Sequence, residues 1–226
     1  MSWAESMLWV VAPYITLAIF VGGLIWRYKY DKFGWTTRSS QLYESPLLRV
    51  ASPLFHYGLL FVIVGHVTGL LIPVSWTDAI GVSNDAYHTN ALVWGGVSGL
   101  ATLVALGLLV YRRRTNGPVF MATTTNDKIM YVVLGAAIVA GVVTTVAGYV
   151  PSEVSYRTTV APWFRGIFIL QPDAMAMSGA SSLYKMHALI GMALFVLFPF
   201  SRLVHALSAP VGYLFRPYIV YRSRSR

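Results

Sequence analysis

"PLFHYGLLFVIVGHVTGLLI", residues 53 to 72, decides the fold. It contains no Asp, Glu, Lys or Arg, and it matches the roughly 20 apolar residues that a helix needs to cross a bilayer. Backbone polar groups in lipid must be satisfied within the segment, so a run of this kind is read as a membrane-spanning helix. Four further runs qualify, giving five spans: about Met7 to Trp26, Pro53 to Ile72, Ala91 to Tyr111, Ile129 to Val150 and Met186 to Leu207. The chain has 226 residues and is 56% hydrophobic and 11% charged, against about a quarter charged in ordinary globular domains. The expected fold is therefore an all-α integral membrane protein of five transmembrane helices, forming one domain over 1–226. The first run follows Glu5 without a basic region before it and ends at Trp26-Arg27, so it is read as a span and not as a cleaved signal.

Cations mark one side. Arg27, Lys29, Lys32, Arg38 and Arg49 fall in the first connection, Arg112, Arg113, Arg114 and Lys128 in the third, and Arg202, Arg216, Arg222, Arg224 and Arg226 at or beyond the end of the fifth span. The start holds only Glu5, the second connection holds Asp78 and Asp85 and no Lys or Arg, and the fourth sets Arg157, Arg165 and Lys185 against Glu153 and Asp173. The positive-inside rule then places the N-terminus outside and the C-terminus in the cytoplasm. The net charge of +9 follows mainly from that topology. Nucleic acid is not the expected partner, because the arginines abut helix ends without interleaved stacking aromatics. The basic tail, 208–226, suits docking on a cytoplasmic partner, lipid contact, or topology alone. "PWFRGIFIL", residues 162 to 170, is too short to span; it reads as an interfacial segment or lid, or as a structural strap.

Four of the five histidines sit in two spans: His56 and His66 in the second, His187 and His205 in the fifth. Ionisable groups inside a membrane are costly and usually functional. The second and fifth spans run antiparallel, so His56 can meet His205 near the inner side and His66 can meet His187 nearer the outer side. On straight helices the first two would lie about 15 Å apart and the last two about 27 Å. Tilt, a slanted ligand plane or a disturbance at Pro199 must absorb the mismatch.

Two facing imidazoles do not complete a zinc site, which takes three or four protein ligands. They do supply both axial ligands of a b-type haem, so two b haems are expected between the second and fifth spans. With no cysteine, iron–sulfur ligation, disulfides and covalent haem attachment within this chain are excluded. Gly58, Gly65 and Gly69 around the first two histidines, and Gly191 beside His187, leave room for a flat macrocycle. Gly65 and Gly69 equally form a helix-packing GxxxG. Arg202 or the Arg112 to Arg114 run suits haem propionates on the inner side, and Arg165 or Lys185 on the outer side; arginines at a membrane margin also simply snorkel.

At this point the residues resemble a family. "WRYKYDKFGWTTRSSQ", "SPLFHYGLLFVIVGHVTGLLIP", "ATTTNDKI" and "LYKMHALIGMALFVLFPFSRLVHALSAP" resemble the gamma subunit of membrane-bound respiratory nitrate reductase, a dihaem cytochrome b, nearly end to end. The resemblance implies a prokaryotic inner or plasma membrane, and that His56 and His205 bind the haem nearer the cytoplasm, and His66 and His187 the outer one. It implies further that quinol, menaquinol or ubiquinol, is oxidised beside the outer haem. Electrons would pass inward to an iron–sulfur beta subunit and a molybdenum-cofactor alpha subunit, where nitrate is reduced.

In one member of that family the resemblance puts a lysine of the second connection, close to the outer haem, against the quinone; this chain has "SNDAYHTN", residues 83 to 90, without one. Tyr87 or His88 is the candidate replacement, with Gly65, His66 and Gly69 as the other quinol contacts. An exposed loop imidazole is the plainer reading of His88. Two alternatives remain at this stage: a cytochrome b delivering electrons to a different reductase module, and a haem-free transporter or assembly protein using its histidines for protons.

Overall fold

The structure is a computed structural model, and it describes residues 2–36, 39–150, 155–208 and Phe215. Five helices are long and apolar enough to cross a membrane: Trp3–Tyr30, Pro46–Leu71, Asn84–Thr115, Thr125–Ala147 and Ser182–Phe200. They are called here the first to fifth spans. Their faces carry exposed Ile63, Val67, Val132 and Phe195, as a surface solvated by hydrocarbon requires. Most of the basic tail lies outside the described residues.

The spans alternate in direction. At the basic end, Arg112 at the end of the third span bonds Ser40 and Glu44 ahead of the second, and Asn126 at the start of the fourth donates to the Phe200 carbonyl. At the opposite end, Tyr87 donates to the Thr68 carbonyl and Arg165 to that of Leu70. The second span packs most closely on the third, where a methyl at Gly58 would come within 2.6 Å of Thr102 Oγ1. A core of Phe55, Ala105, Leu106, Met130 and Leu134 joins the second, third and fourth spans.

Every span differs at its ends from the hydropathy reading. The second begins at Pro46 rather than Pro53, with Glu44 accepting from the Leu47 N–H at 2.6 Å. Proline suits a first helical position because its missing N–H has no intrahelical partner there, and Pro53 is tolerated inside the helix.

The larger correction concerns the fifth span, expected to be helical to Leu207. Its α-helix stops at Leu197, passes through a 3-10 turn at Phe198–Phe200, and is broken by extended Ser201 before a 3-10 segment, Arg202–Ser208. Proline lacks the N–H that continues a helix, and the break at Ser201 leaves the carbonyls around it without helical donors, which side chains supply. Arg27 donates to the carbonyls of Pro199 at 2.8 Å and Ser201 at 3.4 Å, and Asn126 reaches that of Phe200 at 3.0 Å.

A second proline leaves a second repair. Pro13 has no N–H for the Trp9 carbonyl four residues earlier, and the chain before it, Met7–Val11, widens into a π-helix. The Trp163 indole donates to that carbonyl at 2.7 Å. Trp163 belongs to the short helix Val160–Phe168, buried with Ile167, Ala174 and Met177 around Trp9. Residues 162 to 170 thus act as a strap over the first span.

Candidate functional site

The two histidine pairs meet. The His56 and His205 ring centroids are 6.1 Å apart with planes at 68°, and those of His66 and His187 are 5.9 Å apart at 38°. The spans that bear them are not a closely packed pair; the fifth leans on the fourth and first, the second on the third. Space therefore lies between the second and fifth spans, with histidines reaching across it at two depths.

Hydrogen bonds choose the outward-facing nitrogen. His56 Nδ1 lies 2.7 Å from the Ser52 carbonyl, His66 Nδ1 2.8 Å from that of Val62 and His205 Nδ1 2.5 Å from that of Arg202. A carbonyl only accepts, so Nδ1 carries the proton in each and Nε2 keeps its lone pair for a metal. His187 is different. Its Nδ1 is buried without a hydrogen-bond partner, and the ring rests against Gly141, where a methyl would stand 3.2 Å from Cε1.

These residues fit a metal held by two axial imidazoles. Histidine–metal bonds of about 2 Å on either side of one ion give ring centroids roughly 6 Å apart once the ring radius is added. Among the described residues no three His, Cys, Asp or Glu converge on a common point, which disfavours a three-ligand zinc centre. A methyl at Gly65 or at Gly191 would meet nothing within 4 Å, so neither position obstructs a flat group beside these histidines. Within the chain, Gly65 and Gly69 make no close helix contact: a methyl at Gly65 would meet nothing within 4 Å and one at Gly69 would meet the Tyr156 ring at 3.4 Å, while Gly58 makes the close helix contact.

The two arginines expected at propionates have partners in the protein. Arg112 is buried, bonded through Nε to Glu44 and through its terminal nitrogens to Ser40 Oγ at 2.8 Å and the Ser40 carbonyl at 2.9 Å. Burial of Glu44 opposes its ionisation, but hydrogen bonds from the Leu47 N–H and from Arg112 hold the carboxyl below the usual range. Arg202 Nε pairs with Asp127 Oδ1 at 2.7 Å, and its own carbonyl is the acceptor for His205. Arg202 thus steadies the segment that carries His205.

At the opposite end, Gly65, His66 and Gly69 share the second span, and Tyr87 closes on it through Thr68. His88 instead engages the Gly148 carbonyl at the end of the fourth span, at 3.1 Å. Two residues the sequence did not single out complete this region. Arg157 is buried, stacks 3.9 Å over the Tyr87 ring and donates to Asn84 and Thr77. Tyr156 lies over Gly69 beside Tyr87, and burial with that neighbouring phenol pushes its pKa up.

Comparison with known proteins gives this arrangement a family. Residues 5–224 match the family described as nitrate reductase gamma subunit. The chain is 61% identical over 221 residues to the nitrate reductase-like protein NarX of Mycobacterium tuberculosis, covering 97% of this chain but 34% of that protein. It thus spans about a third of that relative's length. It is 42% identical over 220 residues to the nitrate reductase gamma chain of Bacillus subtilis, covering 97% and 99% of the two chains. With the respiratory nitrate reductase 2 gamma chain of Escherichia coli the identity is 34%, over 95% of each. Five apolar spans, two facing histidine pairs and a match over almost the whole chain agree, and the chain belongs to the nitrate reductase gamma subunit family.

Proposed function

We propose that this chain is the quinol-oxidising dihaem cytochrome b subunit of a membrane-bound respiratory nitrate reductase. Its basic end would face the cytoplasm, where an iron–sulfur beta subunit and a molybdenum-cofactor alpha subunit would receive the electrons. The observation that carries the reading is the pair of facing imidazoles at each of two depths, 6.1 and 5.9 Å between centroids. Family membership supports the partners and the nitrate end of the reaction.

His56 with His205, and His66 with His187, would hold one b haem each, and these groups would supply one-electron carriers between quinol and the cytoplasmic subunits. The chain's own work is positional. Three of the four Nδ1 atoms donate to backbone carbonyls, which fixes ring orientation and raises the basicity of Nε2. Gly65, where a methyl would meet nothing, would let a quinol ring from the lipid approach His66, with the Tyr156 ring over Gly69 as one wall, while Tyr87, held by Arg157, presents a phenol beside the same turn. Tyr87 would take the place of the loop lysine of that family member as the polar contact. With the quinol near the end opposite the basic loops, its protons would leave outward while electrons move inward.

The test is haem stoichiometry and a reduced-minus-oxidised spectrum on the purified membrane protein, with each of the four histidines changed to alanine. Two b haems in the wild type are expected, one lost with His56→Ala or His205→Ala and the other with His66→Ala or His187→Ala. Folded protein lacking stoichiometric haem would sink the proposal and favour proton-handling histidines.

A further inference from the structure

The break in the fifth span leaves His205 on a short 3-10 segment, not on the α-helix that carries His187. A 3-10 stretch of seven residues is held poorly by its own hydrogen bonds, so its place depends on what grips it. The grip comes largely from Arg27, 172 residues away from Pro199 in the chain. A snorkelling arginine keeps its head in water, whereas Arg27 is 8% exposed. Its terminal nitrogens donate to the carbonyls of Pro199, Ser201 and Gly34. Its Nε is buried without a hydrogen bond, 3.6 Å from Asp31 Oδ2. Burying a cation this way is costly. Gly23, one turn earlier on the same face, admits the break: a methyl there would stand 2.8 Å from Pro199 Cβ.

We propose that Arg27 is a positioning residue for His205, holding the broken end of the fifth span where this ligand's ring meets His56. The inference rests on the haem reading above. The route is short. Arg27 holds the carbonyls on either side of the break, Asn126 holds that of Phe200 and Asp127 holds Arg202. The Arg202 carbonyl in turn fixes His205 Nδ1. A lysine keeps the charge of Arg27 but lacks the planar fork that bonds several carbonyls at once.

The experiment is a spectroelectrochemical titration and low-spin ferric EPR of both haems in purified wild type, Arg27→Gln, Arg27→Lys and Asn126→Ala. Both Arg27 variants should shift the potential and the EPR signature of the His56–His205 haem and leave the other unchanged, with Asn126→Ala moving the same haem less. Three results would overturn the inference: no change in either haem, equal change in both, or Arg27→Lys behaving as wild type, which would assign the effect to charge alone. If the Arg27 variants fail to fold, an unshifted Asn126→Ala overturns it by itself. A wild type without two haems would instead defeat the underlying reading.

Discussion

The two histidine pairs reach almost the same spacing by different constructions. At the basic end His205 rides a non-α segment, and the atoms that fix it are side chains from the first and fourth spans: Arg27, Asn126 and Asp127. At the opposite end His187 rides an unbroken α-helix and is placed by packing on the fourth span, with its Nδ1 lacking a well-formed bond. A helix fixes direction and depth at once, so a ligand on it needs only a neighbour of the right size. A ligand beyond a break must have its backbone held by named donors. The two sites should therefore fail differently: one to crowding, the other to loss of polar contacts.

The largest effect is expected from crowding. Gly141→Leu would push a branched side chain into the place of the His187 ring, whose Cε1 would already lie 3.2 Å from a methyl there. Neither the helix backbone nor the ring can give way by more than a fraction of an ångström without losing the pairing with His66. Haem analysis should show one of two haems lost, the one that His66→Ala also removes. Retention of both in Gly141→Leu would mean that the His187 side is as adaptable as the other, and the contrast would break.

Loss of a polar hold should be graded. Asp127→Asn keeps an oxygen for the Thr124 N–H of the capping box but leaves Arg202 without its charge partner. Breaking a largely buried ion pair from one side costs on the order of 3 kcal/mol. Denaturation in mixed micelles should show that loss, and the haem assigned to His56 and His205 should be retained with an altered spectrum. An altered spectrum confined to the other haem would reverse the assignment of the two ends.

The sequence carried the spans and the pairing, because a hydropathy window and alternating direction are local information. The break was present only as an inconsistency, 15 Å against 27 Å, with Pro199 as one of three ways to absorb it. A proline in a membrane helix is compatible with a kink or a break, and what decides is the presence of donors for the freed carbonyls. Those donors, Arg27 and Asn126, are distant in sequence and looked like topology and loop residues. Arg112 likewise has distant partners. Its charge suited a propionate, but Glu44, 68 residues upstream, and Ser40 occupy its donors. Arg157 was readable only as one more loop cation until Asn84, Thr77 and Tyr87 closed around it. A signal was available in each case: an arginine whose neighbouring loops contain matched acceptors has somewhere to go besides water.

The smallest expected effect tests whether polar repair of a proline matters equally away from the histidines. Trp163→Phe keeps the edge-to-face ring contact with Trp9, now 5.9 Å between centroids, and deletes only the indole donor that serves the Trp9 carbonyl. That carbonyl has no helical donor because Pro13 stands four residues on, and Trp163 is 4% exposed. Removing one partner of a buried neutral bond costs roughly 1 kcal/mol, and membrane-protein bonds fall in that range or below. Unfolding in micelles should register that cost while both haem spectra stay at wild type, since the strap touches neither Nε2. If instead the His66–His187 haem shifts, the strap is part of that site's support. Both ends would then depend on side-chain donors supplied to carbonyls that have lost their helical partners, and the difference between them would be one of distance alone.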